Sequence, residues 1–479
     1  MAVKLEWTKF SNTINGKLVG TAETRHGINP NDQQALPEVP VCTRVEVDQA
    51  VSAARQALPS WRALSWEERA NYLLRLGDAI EANRDGFVKM LQLEGGKPAS
   101  TAGMEVQMVL DALRAVVKLR LDDEILIDDE IKSTTLRHMA IGVGAGLVPW
   151  NFPMYLGNVK TAQALLTGNT FIMKSSPFTP YCNLKVGELG IDIFPPGVFQ
   201  VISGADDLGQ MLTEHTGIDK ISFTGSTFTG TKVMQSCSKT LKRVTLELGG
   251  NDATIVCEDA DLEKAVPTIG TMAFLNAGQV CMAIKRVYVH HSIYDEFKNR
   301  LVEFVKNHMK VGDTSDPNTT IGPVQNKLQY DKVKTLYEDI ETSGWKPLLG
   351  AKVPELDGEN KGYFISPEII DNPADDSRIV VEEPFGPILP LLKWSNDDEV
   401  LDRVNDTLQG LGGSVWSRDS ERATRIAQAI QSGTVWVNGH GMIEAGVPFG
   451  GMKASGMGRE FGLDGLKAWV ELQALWVMK

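Results

Sequence analysis

The spacing of apolar and polar residues is helical over residues 48–118. Ser65-Trp66-Glu67-Glu68 is a capping box, and the apolar side chains that follow it at helical spacing are Leu73, Leu74, Leu76 and Ile80. The Gly95-Gly96-Lys97-Pro98 segment stops this helical pattern. We therefore predict amphipathic helices in the first quarter of the chain.

Residues 140–260 have a different pattern, in which short apolar runs alternate with amphipathic stretches. The runs are 141–148, 170–173, 198–202, 220–223 and 254–257, and the segment 181–193 between two of them has helical spacing. Such alternation is typical of βαβ units and a parallel sheet. A second alternating region extends from about 260 to 450. The chain is therefore predicted to be α/β, with two domains joined near Gly249-Gly250.

Two segments fit neither region. Residues 122–139 are acidic and β-prone, and residues 470–479 alternate apolar side chains with few charges. Either segment alone would be an exposed strand edge that associates readily. Both are therefore predicted to need a partner strand.

Length and charge exclude some classes of function. The 479 residues correspond to two or three domains, at ~100–200 residues per domain. A net charge of −13 argues against binding to a nucleic-acid backbone. No apolar run approaches the ~18 residues of a membrane span, and the first residues lack the apolar core of a secretory signal. We expect neither a nucleic-acid nor a membrane partner.

The five cysteines are scattered and form no Cys-x-x-Cys pair. An odd, unpaired set argues against a disulfide framework, and the seven histidines show no metal-binding spacing. We predict no metal site and a cytoplasmic, reducing location in which one cysteine is kept for reactivity.

The candidate for the reactive cysteine is Cys281, in the segment Asn276-Ala-Gly-Gln-Val-Cys281. A lone cysteine is usually a buried core residue. Here its polar neighbours and its place at the end of the apolar stretch 267–275 favour an exposed thiol. In Thr245-Leu-Glu247-Leu-Gly-Gly250 a carboxylate ends an apolar strand-like run, either as a surface glutamate or as a general base with a raised pKa.

Three further segments present polar groups on rigid loops or turns. Pro149-Trp-Asn151-Phe-Pro153 offers an amide, which either caps its own turn or donates to an oxyanion. Phe223-Thr-Gly225-Ser226-Thr-Phe-Thr-Gly230 leads from a strand into a helix whose N–H groups suit a pyrophosphate. Glu382-Glu383-Pro-Phe385-Gly-Pro387 is either a solvated corner or a clamp for a ribose and a flat ring. Gly142-Val-Gly-Ala-Gly146 lacks the spacing of a dinucleotide fingerprint.

Taken together, these motifs resemble the aldehyde dehydrogenase superfamily along essentially the whole chain. The matching motifs are Pro-Trp-Asn-Phe-Pro at 149–153, Lys174, Phe-Thr-Gly-Ser at 223–226, Glu-Leu-Gly-Gly at 247–250, Gly-Gln-Val-Cys at 278–281, Glu-x-Phe-Gly-Pro at 383–387 and Pro-Phe-Gly-Gly at 448–451. The resemblance implies a Rossmann-like dinucleotide-binding domain (1–118 and 141–249), a second α/β catalytic domain (250–453), and a small β oligomerisation arm and tail (119–140 and 454–479).

The resemblance also implies oxidation of an aldehyde to a carboxylic acid, with hydride passing to NAD or NADP. Cys281 would be the nucleophile. Asn151 and the backbone N–H of Cys281 would stabilise the oxyanion. Glu247 would activate the water that hydrolyses the thioester. Lys160 and Glu460 match residues proposed to carry a proton from this base to solvent.

The same resemblance assigns the cofactor contacts and the assembly. The residues expected to contact the dinucleotide are Trp150, Lys174, Ser176, Pro177, Thr224, Gly225, Ser226, Gly230, Leu248, Gly249, Glu383 and Phe385. The partners expected are a small-molecule aldehyde and further copies of the chain, as a homodimer or homotetramer whose subunits extend each other's sheets.

Pro177 departs from the family pattern. Many NAD-preferring relatives carry a glutamate there, three residues after Lys174, that binds both hydroxyls of the adenosine ribose. Without that carboxylate, a 2′-phosphate meets less repulsion, so we predict that NADP is accepted. In the tunnel, Phe152 and Phe449 remain aromatic, whereas His440 lies either near the tunnel mouth or in a solvated loop.

Two other functions compete with this interpretation. A CoA-acylating semialdehyde dehydrogenase would lack the base, yet Glu247 is present. A catalytically silent structural paralogue would usually lose Cys281, Glu247 or Asn151, and all three are present. The absence of an arginine cluster at the tunnel positions favours an uncharged aliphatic or aromatic aldehyde.

Overall fold

The protein is described by a computed structural model that covers residues 4–354, 356 and 361–479. In chain order its helices are α1 (Arg44–Arg62), α2 (Trp66–Glu81), α3 (Arg84–Gly95), α4 (Ala99–Val116), α5 (Pro153–Leu166), α6 (Tyr181–Ile191), α7 (Leu208–Glu214), α8 (Thr227–Ser238), α9 (Leu262–Phe274), α10 (Tyr294–His308), α11 (Lys327–Thr342), α12 (Arg378–Val381), α13 (Asp397–Asn405), α14 (Ser420–Ala429) and α15 (Gly462–Lys467).

The strands lie mostly between these helices, as α/β alternation requires. In chain order they are β1 (Asn12–Ile14), β2 (Lys17–Val19), β3 (Thr24–Ile28), β4 (Ala35–Pro40), β5 (Glu124–Asp128), β6 (Lys132–Ala140), β7 (Val143–Leu147), β8 (Thr170–Lys174), β9 (Phe199–Ile202), β10 (Lys220–Thr224), β11 (Arg243–Glu247), β12 (Ala253–Val256), β13 (Arg286–His290), β14 (Glu368–Asp371), β15 (Ile388–Trp394), β16 (Gln409–Gly410), β17 (Gly412–Trp416), β18 (Thr434–Val437), β19 (Met452–Lys453), β20 (Gly456–Met457) and β21 (Val470–Met478).

The first sheet contains the apolar runs predicted between 141 and 223. Its order is β2-β1-β9-β8-β7-β10-β11-β20, and the five strands from β9 to β11 are parallel. These strands are buried for most of their length, as expected where helices cover both faces of a sheet. In β8, Phe171 and Met173 pack into one core and Ile172 into the core on the other face. The expected dinucleotide-binding architecture is confirmed.

The second sheet has six parallel strands in the order β14-β15-β13-β12-β17-β18. Alternate residues again face two cores, with Ile255 on one side and Val256 on the other. The predicted run 254–257 therefore belongs to this sheet. It follows the Gly249-Gly250 junction, as expected for a second α/β unit.

The helical region at the start of the chain has the predicted capping box. The backbone N–H of Glu68 donates to the Ser65 hydroxyl at 3.2 Å, and the Glu68 carboxylate accepts from the Ser65 N–H at 2.7 Å. Leu73, Leu76 and Ile80 are buried, whereas Leu74 is exposed. The prediction that all four share one apolar face was wrong for Leu74, since adjacent helical positions point in different directions.

The arm and the tail pair with each other within one chain. Residues 122–139 contain two strands, β5 and β6, and β21 pairs antiparallel with the whole of β6, from Val470 opposite Ala140 to Met478 opposite Lys132. We predicted that each segment needs a partner strand, and within this chain each segment is the partner of the other. Short strand β20, which we grouped with the tail, instead pairs with β11 at the edge of the first sheet.

No helix in the described residues is long and apolar enough to cross a membrane.

Candidate active site

The carboxyl ends of four parallel strands meet at one edge of the first sheet. Leu147 pairs with Lys174 and is followed by the loop 149–153, while Thr224 at the end of β10 pairs with Glu247 at the end of β11. The chain order reverses between β7 and β10, and ligands of open α/β sheets bind at such a switch point. Segments far apart in sequence are thereby brought to one edge.

Two adjoining cavities lie over this edge. The larger, of about 780 Å³, is lined among others by Trp150, Lys174, Ser176, Pro177, Thr224, Gly225 and Ser226. The smaller, of about 150 Å³, is lined among others by Trp150, Asn151, Thr224, Gly225, Ser226, Glu247, Leu248, Gly249, Cys281, Glu383 and Phe385. All residues predicted to contact the dinucleotide except Gly230 line one or both. Gly230 instead packs in α8 against Leu248, where an added Cβ would lie 2.5 Å from a methyl carbon.

Cys281 lies between α9 and β13, after a turn with unusual backbone geometry. Asn276, Ala277 and Gly278 have φ values of +53°, +57° and +74°, a left-handed run that residues other than glycine rarely adopt. Gly278 sits against the backbone of Gly386, where a Cβ would be 2.3 Å from the carbonyl oxygen. The nucleophile segment is thus held against the loop that carries Glu383.

The Cys281 thiol differs from the other four. It is partly exposed and lines the smaller cavity, whereas Cys42, Cys182, Cys237 and Cys257 are buried. Burial of the sulfur raises the pKa of the thiol well above its ordinary value, and Glu247 raises it further. Lys285 acts in the opposite direction. The resting group is therefore a neutral thiol with one nearby cation.

Asn151 is presented by the proline-bounded loop at the start of α5. Its side chain is buried, and Nδ2 donates to the carbonyl oxygen of Gln279 at 3.0 Å. This bond ties the amide to the turn before Cys281. An amide nitrogen carries two hydrogens, so one remains for an oxygen in the cavity.

Glu247 is the last residue of β11 and is almost completely buried. Neither carboxylate oxygen makes a hydrogen bond of ordinary geometry among the described residues, although the Cys281 thiol is close enough to interact with the carboxylate and to affect its pKa. Burial raises the pKa of Glu247 to about 8, Glu460 adds to that increase, and Lys160 opposes it. A carboxyl group with this pKa can accept a proton near neutral pH.

Lys160 and Glu460 form a buried ion pair beneath Glu247. Lys160 Nζ also donates to the Thr224 hydroxyl at 2.8 Å, and the Ser222 hydroxyl donates to Glu460 Oε1 at 3.1 Å. The pair joins α5 to the segment after β20, three hundred residues later. Both residues therefore lie close enough to Glu247 for their charges to affect its pKa.

Trp150 and Phe385 meet over the smaller cavity, edge to face, with ring centroids 5.4 Å apart. Beside them, Glu383 Oε1 accepts from the Gly250 N–H at 3.2 Å and pairs with Lys285 Nζ at 2.9 Å. Gly249 lies so close that a Cβ there would be 2.2 Å from Glu383 Oε2. The corner that sequence alone left open is therefore part of the cavity wall and not a solvated turn.

The larger cavity contains a buried lysine at the end of β8. Lys174 Nζ donates to the Ser175 carbonyl at 3.1 Å, and burial lowers the pKa of Lys174 to about 8. Pro177 lines the cavity without a charge, and Ser226 caps α8 by accepting from the Thr229 N–H at 3.2 Å.

Sequence reasoning missed many of the residues that line or adjoin the two cavities, and four polar ones are important for the chemistry of the site. Asp206 lines the larger cavity and favours the charged form of Lys174; Gln329 and Lys332 line the smaller one, and Lys285 contacts Glu383. None lies in a recognisable motif. A lysine four residues after the nucleophile, at the start of an apolar strand, was the one available signal.

The tunnel positions are apolar and well packed. Phe152 and Phe449 are buried. His440 is also buried, with Nδ1 3.0 Å from the Ser414 hydroxyl and Nε2 2.8 Å from the Met282 carbonyl, and burial lowers the pKa of His440 to about 4. Placing His440 in a solvated loop is therefore wrong; it is a neutral residue that supports the segment after Cys281.

The residues present fit a dinucleotide. The larger cavity combines the N-terminus of α8 with Lys174, and the smaller combines two aromatic rings with the Glu383 carboxylate. Such a set suits phosphates, a flat ring and ribose hydroxyls respectively. The described residues contain no group of three or more histidines, cysteines or carboxylates able to hold a metal ion.

Comparison with known proteins identifies the family of this chain. The sequence profile of the aldehyde dehydrogenase family matches residues 19–475. Aldehyde dehydrogenase LUC3 of a Fusarium species is 38% identical over 475 residues, which cover 99% of this chain and 100% of that protein.

Solved structures have the same architecture. The NAD⁺ complex of an aldehyde dehydrogenase from Bacillus cereus superposes with a TM-score of 0.95 at 32% identity, covering 100% of both chains. An NADP dependent enzyme from E. coli superposes with a TM-score of 0.95 at 33% identity, covering 99% of both chains. The chain belongs to the aldehyde dehydrogenase family. It is an oxidoreductase that acts on aldehydes with NAD or NADP as its cofactor.

Proposed function

We propose that this protein oxidises an aldehyde to the carboxylic acid through a thioester on Cys281, which Glu247 then helps to hydrolyse. One observation carries the proposal: Cys281, Glu247 and Asn151 line a single cavity together with Trp150 and Phe385. A nucleophile, a base and an oxyanion donor in one cavity are the groups that acyl transfer requires.

In the first half of the reaction, the Cys281 thiol loses its proton to water, the thiolate sulfur bonds to the aldehyde carbon, and the carbonyl oxygen becomes an oxyanion. The amide of Asn151, oriented by Gln279, and the backbone N–H of Cys281 donate to that oxygen. The cofactor, when bound, accepts the hydride that leaves this carbon. A thioester on Cys281 remains.

In the second half, Glu247 takes a proton from water, and the hydroxyl oxygen adds to the thioester carbon. The C–S bond then breaks, releasing the acid and restoring the Cys281 sulfur. Glu247 is buried beside Cys281 and has a pKa of about 8, so it is suited to accept and then release a proton. The Lys160–Glu460 pair would carry that proton away from the cavity.

The cofactor would lie across the two cavities. Lys174 and Ser176 would hold the adenosine end, Gly225 and Ser226 the pyrophosphate, and Glu383 and Phe385 the nicotinamide ribose and ring. Because Pro177 places no carboxylate in the larger cavity, we infer that NADP is accepted as well as NAD. The aldehyde would be uncharged, aliphatic or aromatic, in keeping with the apolar tunnel residues.

Two observations bear on the assembly. The three-stranded sheet of arm and tail exposes large apolar residues, namely Ile125, Leu126, Ile131, Leu472, Leu475, Trp476, Val477 and Met478. β21 and β5 are also its two outer strands. We infer that these surfaces are covered by other subunits in a homodimer or homotetramer, because exposed apolar strand edges associate. The five free thiols suit a reducing, cytoplasmic location.

The test is NADH or NADPH formation with a panel of uncharged aldehydes, with and without CoA. Hydrolytic oxidation predicts product without CoA. A requirement for CoA would favour the acylating alternative, and no turnover with any aldehyde would favour a silent paralogue. Cys281→Ala should abolish turnover, whereas Cys257→Ala, in the core of the second domain, should retain it.

A further inference from the structure

Lys285 connects the nucleophile segment to the loop that carries Glu383. It lies in the turn between Cys281 and β13, and its side chain is 2% exposed. Its ammonium donates to the carbonyl oxygen of Cys281 and pairs with Glu383 Oε1 at 2.9 Å. The same ammonium lies 5.8 Å from the centroid of the Phe385 ring. One buried cation thus contacts both the Cys281 segment and the Glu383–Phe385 loop, which line the smaller cavity.

Burial of this lysine needs a reason, because an ammonium loses its hydration there unless other groups replace it. Glu383 supplies the compensating charge. Asp252 is a second buried carboxyl group nearby: burial raises its pKa to about 7, and Lys285 opposes that rise. The Lys285 backbone N–H also donates to the Asp252 carbonyl at 2.9 Å. The lysine is therefore held in place from both its backbone and its side chain.

We propose that Lys285 is a positioning residue that keeps the Glu383 carboxylate in place for the cofactor ribose and, through its contact with the Cys281 carbonyl oxygen, holds a positive charge against the Cys281 residue. The proposal rests on the function proposed above. According to this proposal, one lysine affects both the binding of the cofactor and the ionisation of the Cys281 thiol. Lys285 lies outside all of the family motifs quoted above.

The charges that face Cys281 determine in which direction the pKa of its thiol should change when Lys285 is replaced. Glu247 and Asp252 disfavour the thiolate, and Lys285 favours it. Lys160 and Glu460 act on Glu247 from behind. Loss of the Lys285 charge therefore removes the cation that favours the thiolate, and the thiol should ionise at higher pH.

The experiment compares Lys285→Met and Lys285→Gln with the wild type and with Lys332→Met. Lys332 is a matched comparison because its Nζ also contacts Glu383, at the backbone carbonyl and 2.8 Å away, and because no hydrogen bond or ion pair between Lys332 and Cys281 is found among the described residues, although both line the smaller cavity. Alkylation of the cofactor-free enzyme by iodoacetamide is followed on the Cys281 peptide across pH. Both Lys285 variants should shift the profile upward by about one pH unit or more, and Lys332→Met should leave it in place.

Cofactor kinetics provide the second readout. The Lys285 variants should raise the KM for NAD about tenfold or more while changing kcat less, because Glu383 loses the partner that holds it. An alkylation profile that is unmoved in both Lys285 variants, or that moves equally in Lys332→Met, would overturn the proposal. So would an unchanged KM for NAD. If Lys285→Met fails to fold, Lys285→Gln carries the same expectations.

The two proposals fail in different ways. If the wild-type enzyme forms no reduced cofactor with any aldehyde, the proposed function fails, while the alkylation profiles still report on the link between Lys285 and Cys281. If the wild type is active and the profiles do not differ, only the role of Lys285 fails.

Discussion

Replacing Glu247 with Gln keeps the shape of the side chain at the end of β11 but removes its ability to accept a proton. The Cys281 sulfur and the Asn151 amide, which would act before hydrolysis, keep their places, and loss of the Glu247 charge removes one cause that raises the pKa of the Cys281 thiol. We therefore expect the variant to form the thioester and then to hydrolyse it slowly.

The expected size follows from the environment of Glu247. Burial, supported by the Glu460 charge, raises the pKa of Glu247 to about 8. A carboxyl group accepts protons only when ionised, so at pH 7 about one-tenth of the wild-type enzyme is ready, and the hydrolytic rate should rise with pH until about 8. A positioned base typically contributes about 10²- to 10⁴-fold, or about 3–5 kcal/mol of barrier. The variant should lose that factor and the rising limb near pH 8.

Rapid mixing with aldehyde and NAD is the assay. Glu247→Gln should produce a burst of NADH equal to the concentration of active sites, followed by a steady state at least about 100-fold slower than the wild type. Glu94→Gln is the matched control. Glu94 is also fully buried with a pKa raised by burial, but it accepts the backbone N–H groups of Tyr181 and Cys182 at the start of α6, outside both cavities.

Two results would refute this reasoning. An unchanged steady-state rate in Glu247→Gln would show that another group activates the water. A variant without any burst would show that Glu247 is already needed before hydride transfer, so its role would have to be assigned to the first half of the reaction.

Three further predictions concern the base, the cofactor and the assembly. Lys160→Met should move the rising limb of the pH profile to higher pH and Glu460→Gln to lower pH, because Lys160 lowers the pKa of Glu247 and Glu460 raises it; shifts in the same direction would contradict this electrostatic account. Pro177→Glu should move the ratio of kcat/KM for NAD over NADP towards NAD by about tenfold or more, and the interpretation fails if that ratio does not move or if the wild type already prefers NAD by more than about a thousandfold. Deletion of 470–479 removes β21 and should yield monomers in light scattering; an intact oligomer after deletion, or a stable wild-type monomer, would disprove the predicted assembly.

Local sequence was sufficient where a residue's surroundings follow from its own segment. The strands predicted at 170–173 and 220–223 are observed as β8 and β10, because a strand covered on both faces is rich in apolar residues that can be recognised in its own segment. The capping box at Ser65–Glu68 could also be predicted from local sequence, because its two hydrogen bonds join residues only three positions apart. Motif residues such as Cys281 and Glu247 were identified by their type and spacing, and their roles remain predictions for the assays above.

Contacts between distant segments were decided only by the tertiary structure. The arm and the tail pair with each other although more than 300 residues separate them. Sequence assigned Gly230 to the cofactor, but packing directs it against Leu248. Lys285 meets Glu383 across 98 positions, and no local pattern marks that contact.

The electrostatic state of the site has the same origin. Glu247 is an ordinary carboxylic acid in its own segment. Its pKa of about 8 arises because folding buries it and brings Glu460 close, from 213 residues further along the chain. Desolvation and Coulomb interactions depend on distance in space, and distance along the chain does not determine them. The sequence therefore determined which chemical groups are available, and the tertiary structure determined their ionisation and their neighbours.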